Sequence, residues 1–165
     1  MKLFEATQIA MELVQKLQPY CDRIEVAGSI RRGRAWVNDI DIVAIPHEDK
    51  ILAGGFFNVQ HLIASITGDQ PHGGHAYLTC AYRQVSVDIY LAAPSSWGTL
   101  LLIRTGSKKH NIKLATMAKS RGCHLHASGQ GLVDSYNRRI AGDTEESIFK
   151  ALGLLFIPPG GEGIG

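Results

Sequence analysis

Residues 28–41 read GSIRRGRAWVNDID, and the chain continues from Asp41 as the apolar run IVAIP. A small Gly-Ser pair opens the stretch, Arg31, Arg32 and Arg34 follow, and Asp39 and Asp41 close it. Side chains of a strand alternate, so Asp39 and Asp41 share one face with Cα atoms roughly 6–7 Å apart. Ile40 and Ile42 go to the other face and anchor the strand in a core. Carboxylates on a strand that reads as core are costly unless something positive meets them. Two partners suit them: a metal ion, or Arg31 and Arg32 in a structural salt-bridge cluster. The same signature returns at Asp88, a lone carboxylate between Val87 and Ile89. If the two strands neighbour one another, three carboxylates converge on one sheet face, where each raises the others' pKa. Magnesium relieves that repulsion, because it takes oxygen ligands and leaves positions for water and phosphate.

Outward from this stretch, helical spacing of Ile9, Met11, Leu13, Val14 and Leu17 predicts a helix over 4–17 that Pro19 ends. Strands are expected at 23–27 and 39–45, with Ser29 as the N-cap of a short segment between them. A loop at 47–55, a helix at 56–66 and a turn at 67–74 follow. Strands at 75–82 and 84–91 form a hairpin, the second with Val85, Val87, Ile89 and Leu91 on one face and Ser86, Asp88 and Tyr90 on the other. Pro94, Ser95 and Ser96 mark a boundary between a domain at 1–95 and another at 96–165. Beyond it come helices at 99–103 and 108–120, a short β segment over 123–140 that turns at 135–137, and a last helix opened by Thr144. This order gives an α+β fold, a mixed sheet with flanking helices followed by a small α/β lobe.

Composition agrees with a soluble globular chain: 165 residues, 45% hydrophobic and 19% charged. No apolar run reaches the ~18 residues of a membrane span, and Glu5 and Glu12 interrupt any secretory signal. Three separated cysteines, Cys21, Cys80 and Cys123, read as free thiols in a reducing compartment, so a cytoplasmic, intracellular location is expected. Net charge is +2, but no Asp or Glu occurs from 89 to 133, where Arg104, Lys108, Lys109, Lys113, Lys119 and Arg121 lie. A polyanion along this segment and a merely solvated helix face both account for it. Cys123, His124 and His126 fit no four-ligand zinc spacing. His72 and His75 are expected to be exposed, and His110 structural or phosphate-facing; Trp36 and Trp97 suit stacking on a base, but packing in the core or between lobes is the expected use.

A Gly-Ser turn and arginines about ten residues ahead of D-x-D resemble the signature of the nucleotidyltransferase superfamily. The double arginine, VDI at 87–89 and TGSKKHN at 105–111 narrow the resemblance to the family X DNA polymerases, and TEESIFKALGLLFIPP at 144–159 is similar to the end of their polymerase core. The resemblance implies a nucleotidyltransferase-type palm followed by a small thumb. Asp39, Asp41 and Asp88 would be the catalytic and metal-holding residues, for two Mg²⁺ ions or Mn²⁺ in their place. Gly28, Ser29 and Arg32 would hold the triphosphate, Thr105 and Gly106 the nucleotide sugar, and Asn111 the minor-groove edge of the base. Lys108, Lys109, Lys113, Lys119 and Arg121 would face DNA phosphates. The implied partners are primer-template or gapped DNA and a dNTP, with no membrane and the chain working as a monomer. The implied reaction adds dNMP to a primer 3′-hydroxyl with release of pyrophosphate, in gap filling or repair. The chain departs from the family at Ile103 and Arg104, where an aromatic pair is usual, and at Ser86, where an arginine is frequent. Its length leaves room for palm and thumb only, without lyase, fingers or phosphoesterase domains. The rival readings are a nucleotidyltransferase acting on RNA ends, a protein or a small molecule, and a catalytically idle nucleic-acid-binding module.

Overall fold

In the computed structural model, which describes residues 1–47 and 56–161, the apolar runs around the carboxylates become the two middle strands of one sheet. The chain divides into two compact units, Met1–Leu91 and Ala92–Gly165. The first contains α1 (Leu3–Leu17), a 3-10 turn (Gln18–Tyr20), β1 (Cys21–Val26), α2 (Gly28–Arg31) and β2 (Ile40–Pro46). It continues with α3 (Phe56–Thr67), β3 (His72–Gly74), β4 (Tyr77–Tyr82) and β5 (Val85–Leu91). The strand order is β1-β2-β5-β4-β3; β2 and β5 run parallel and every other pair is antiparallel. A parallel pair needs a long crossover, and α3 lies within the one that joins β2 to the later strands.

One face of this sheet carries the core. Leu13 and Leu17 of α1 and Val59 and Ile63 of α3 pack with Ile40, Ile42, Leu78, Val87 and Ile89. Alternation then commits Asp41, Thr79 and Asp88 to the opposite face, where all three are half-buried. The hairpin β4–β5 turns on Arg83 and Gln84, both with positive φ (48° and 65°), as a type I′ turn requires. Its turn end is tied to α1: Lys16 Nζ donates to the Tyr82 hydroxyl at 2.9 Å, Tyr82 donates to Glu12, and Arg83 pairs with Glu12 at 2.7 Å.

Three details differ from what the sequence predicts. Ser29 lies inside α2 rather than capping it; the cap is Ala27, without a side-chain bond, and the helix starts at Gly28. The second strand begins at Ile40, so Asp39 occupies a bend ahead of it and is not a strand residue. The expected turn at 67–74 contains β3, because His72–Gly74 pairs with the edge of β4. The loop expected at 47–55 falls, beyond His47, outside the described residues.

The second unit holds α4 (Trp97–Thr105), α5 (Lys108–Ser120), β6 (His124–His126), β7 (Gly131–Val133), β8 (Arg139–Ala141) and α6 (Glu145–Ala151). The three strands form an antiparallel sheet in sequence order, resolving the expected β segment. Leu102, Leu114, Ala118, Leu125, Leu132, Ile148, Phe149 and Leu152 make its core. Thr144 caps α6 in a capping box with Ser147, satisfying donors at the helix start. Gly98 lets α4 come close to that cap: a Cβ there would lie 2.3–2.5 Å from the Thr144 backbone. Of the two tryptophans, Trp97 is buried as expected, whereas Trp36 is 69% exposed, so its assignment to packing is corrected. Among the described residues, no helix is long and apolar enough to cross a membrane.

Candidate functional site

The first unit sets two carboxylates, Asp41 and Asp88, side by side on one sheet face. Asp41 and Asp88 are direct register partners on the parallel strands β2 and β5. Neighbouring strands lie about 4.8 Å apart, so the two carboxylates stand side by side on the face away from the core. Asp39 is half-buried in the bend before β2, outside the strand, and is not gathered with them. The chain leaves β1 through Ala27, whose N–H donates to the Asp41 carbonyl at 2.8 Å. Gly28 then adopts a φ of +58° directly beneath the Asp41 side chain. A Cβ at position 28 would fall 1.9 Å from Asp41 Oδ2 and 2.8 Å from its Cγ. Glycine is required there twice over, for the left-handed backbone and for the space that the carboxylate fills.

Ser29 follows inside α2, and Arg32, at its C-terminal cap, donates its N–H to the Gly28 carbonyl at 3.2 Å. Arg31 reaches Glu25 at 4.0 Å, which gives one of the two arginines an acidic neighbour on β1. The structure therefore brings together Gly28, Asp41 and Asp88, with Ser29 and Arg32 on the short helix that begins at Gly28.

Asp88 is held from the other side. Thr79 is its register partner on β4. Thr79 Oγ1 lies 2.8 Å from Asp88 Oδ1, and the Tyr77 hydroxyl lies 2.9 Å from the same oxygen and 2.6 Å from Thr79 Oγ1. The Tyr77 ring stacks on Tyr90, its own register partner, with centroids 5.1 Å apart. The Tyr77 phenol sits above its ordinary pKa. The Thr79 hydrogen bond, the largest single influence, lowers it, but burial, the bond to Asp88 and the charges of Asp88 and Asp41 outweigh that bond together. Reasoning from sequence missed Tyr77 and Thr79. Hairpin arithmetic could have found them, since a two-residue turn at 83–84 sets 79 opposite 88 and 77 opposite 90.

The donor set is all oxygen. Among the described residues, no three His, Cys, Asp or Glu side chains are gathered closely enough to hold a metal ion together, so Asp39 does not join Asp41 and Asp88 in one cluster as the sequence predicts. Magnesium is usually held by one or two carboxylates with water and substrate phosphate completing its shell. A half-buried pair of aspartates, Asp41 and Asp88, fits that habit.

The second unit carries the remaining candidates. Thr105 ends α4 and is buried; Gly106 follows with φ +71° and a cis peptide to Ser107, which caps α5 by accepting from the His110 N–H at 3.3 Å. Asn111 turns its amide back onto α4, donating from Nδ2 to the Ile103 carbonyl at 2.8 Å. The buried stripe of α5 is His110, Leu114 and Ala118, leaving Lys108, Lys109, Lys113 and Lys119 exposed on its outer arc. Arg121 is exposed just past the helix, with its guanidinium beside Gly153. His110 is structural, its ring stacked on Phe149 at 5.9 Å. His124 and His126 meet edge to face at 4.2 Å, and Cys21, Cys80 and Cys123 are free thiols.

Comparison with known proteins gives this geometry a context. A family model described as DNA polymerase beta thumb matches residues 100–160. The DNA polymerase/3'-5' exonuclease PolX of Bacillus subtilis (strain 168) is 33% identical over 159 residues, covering 93% of this chain and 27% of that protein. The chain thus spans about a quarter (27%) of that curated relative's length. Among solved structures, Leishmania infantum polymerase beta in a ternary P/T complex superimposes with a TM-score of 0.78 at 19% identity, over 98% of this chain and 76% of that one. The same polymerase in a ternary gap complex gives 0.77 at 18% identity, over 98% and 70%. At these identities the likeness to the solved structures is one of fold.

Proposed function

The chain is family X DNA polymerase-like in sequence and in fold, and from that premise we propose that it is a DNA-directed DNA polymerase, adding dNMP from dNTP to a primer 3′-hydroxyl with release of pyrophosphate. The first unit acts as the palm and the second as the thumb. The observation that carries the reading is the pairing of Asp41 with Asp88 across parallel strands, with Asp41 seated over Gly28. Asp39, Asp41 and Asp88 would hold two Mg²⁺ ions, or Mn²⁺, which when bound neutralise charge on the attacking and leaving oxygens of an in-line displacement.

The chain's own residues do the positioning. Gly28 gives the triphosphate room to approach the backbone, Ser29 donates to it, and Arg32 offers a planar fork matched to phosphate oxygens. Thr105 and Gly106 form the turn under the nucleotide sugar. Asn111 hydrogen-bonds the minor-groove edge of the base, a contact shared by all base pairs and therefore non-discriminating. Ile103 and Arg104, where relatives usually carry an aromatic pair, leave the ribose 2′-hydroxyl less firmly excluded. Exposed Lys108, Lys109, Lys113 and Lys119 neutralise phosphates, with Arg121 beyond them. Two of these lysines stand in the first turn of α5 at the positive end of its dipole, a placement unfavourable by about 0.3–1 kcal/mol each unless an anion is near. A DNA phosphate relieves it. Gapped or primed DNA, a dNTP and an intracellular setting belong to the same reading, and gap filling in repair is the process it suits.

The test is extension of a labelled primer on gapped and open templates with each dNTP and NTP, with single strands and RNA ends as alternative acceptors. Template-directed dNMP addition is expected, and Asp88→Ala should reduce it by ~10³-fold or more, the several kcal/mol that a bound metal contributes. Transfer to RNA ends without primer extension, or extension untouched in the variant, overturns the proposal.

A further inference from the structure

We propose that Thr79 and Tyr77 are positioning residues for Asp88, fixing one carboxylate oxygen so that the other is presented to the metal. The inference rests on the reading of Asp88 as a metal ligand and adds to it the device that aims the ligand. On the solvent face of a strand an aspartate has two free torsions and samples several rotamers. A metal ligand must instead be held to within about 0.5 Å of one geometry. Nothing on β5 itself supplies that restraint. The neighbouring strand β4 does, because antiparallel register sets Thr79 against Asp88 and Tyr77 against Tyr90.

The protons can be counted. Three oxygens, Thr79 Oγ1, Tyr77 Oη and Asp88 Oδ1, lie within 2.6–2.9 Å of one another. Two hydroxyl protons serve these three contacts, since an ionised carboxylate only accepts. Either both hydroxyls donate to Oδ1, or one donates to Oδ1 and accepts the proton of the other. In every arrangement at least one hydroxyl proton lies on Asp88 Oδ1, and the two hydroxyls stay within hydrogen-bond reach of each other. Among the described residues, the bonds to this carboxylate fall on Oδ1 and leave Oδ2 for a ligand.

Both donors are themselves restrained. Thr79 is β-branched and therefore stiff at its first torsion. Tyr77 is 39% exposed, yet its ring is stacked on Tyr90 and cannot swing the hydroxyl away without breaking the stack. A purely structural role explains this poorly, because a hydroxyl–carboxylate bond on a half-exposed face adds little to folding when water can replace it. Outer partners that orient a metal ligand matter more: their loss typically costs 10–100-fold in metal affinity or activity.

The experiment measures Mn²⁺ affinity of the chain by electron paramagnetic resonance, beside primer extension, in Thr79→Val, Tyr77→Phe, the double variant and Asp88→Asn. Valine keeps the shape and strand preference of threonine, and phenylalanine keeps the ring stack, so the urea midpoint should stay at the wild-type value. Each single variant should weaken Mn²⁺ binding by about 10-fold and the double by up to about 100-fold, with extension recovering at raised Mn²⁺. Thr79→Ser, which restores the hydroxyl, should recover affinity. Should Thr79→Val lose its fold, Tyr77→Phe and Thr79→Ser carry the test. Wild-type affinity in Tyr77→Phe and the double variant, while Asp88→Asn loses it, overturns the positioning role and leaves Asp88 as a ligand. Wild-type affinity in Asp88→Asn overturns the reading of Asp88 and the positioning role with it.

Discussion

On the sheet face of the first unit that bears Asp41 and Asp88, the charged groups are few and half-buried. Asp41 is seated against Gly28 where a Cβ would stand, and Asp88 has two hydroxyls within hydrogen-bond distance of one oxygen. In the second unit the charged groups of α5 are many, exposed and loosely held. Among the described residues no ion pair engages Lys108, Lys109 or Lys119. The two regions serve different physics. A metal ligand works only within a fraction of an ångström of its place, whereas a phosphate contact across water works by charge and falls off slowly with distance. One face should therefore fail on a single methyl group, and the other should weaken by small, countable steps.

The sharpest way to break this contrast is Gly28→Ala. The added methyl would meet Asp41 Oδ2 at 1.9 Å, and alanine would also be strained at φ +58°. Asp41 must move, and misplacement of a reacting group by about 1 Å costs roughly 10²-fold in rate. Nucleotide incorporation should drop by that factor while far-ultraviolet circular dichroism is unchanged. Wild-type incorporation would mean that the carboxylate tolerates displacement, and the first unit would lose its claim to rigidity.

Gly98→Ala asks whether close packing in the second unit serves the fold alone. The new Cβ meets Thr144 backbone atoms at 2.3–2.5 Å, and backbone has no rotamer by which to yield. Overpacking of this kind destabilises by about 1–3 kcal/mol, read as a lower urea midpoint. Because Gly98 carries no side chain to a substrate, incorporation at a temperature where the variant is folded should stay within about twofold of wild type, an effect of under roughly 0.5 kcal/mol.

How much of this was legible beforehand follows from which forces are local. The β2 and β5 strands announce themselves by apolar runs, α1, α5 and α6 by periodicity and end signals, and Asp41 and Asp88 by being carboxylates within those runs, whereas Asp39 falls in the bend ahead of the strand. The hairpin was visible, but its turn was not, since Arg83 and Gln84 lack the Asn-Gly chemistry that marks a type I′ turn. Without the turn the register is unknown, and without the register Thr79 and Tyr77 are ordinary strand residues. Ser29 looked like a cap because serine favours caps; with Gly28 seated against Asp41, the helix starts at Gly28 and its cap is Ala27, two residues earlier. Trp36 looked like core because tryptophan generally is, and a short bridge to Lys2 holds it at the surface instead. Composition reports what a residue prefers; the exceptions here were set by neighbours distant in sequence.

The smallest effect is expected on α5, and it should be additive. Lys109 and Lys113 lie one turn apart on the exposed arc of the helix. If each neutralises a DNA phosphate, replacing it with glutamine removes one released counterion. The slope of log affinity against log salt then falls by about 0.9 for each duplex phosphate left without its lysine. The single variants should bind gapped DNA modestly less well at low salt, and the double variant should show the sum of the two slope changes. Incorporation at saturating DNA should hold, since these side chains touch no reacting atom. Titrations over a range of salt concentrations measure this directly. An unchanged slope in the double variant would return this face to plain solvated lysine, and a loss of turnover at saturating DNA would show that α5, like the carboxylate sheet, works by position.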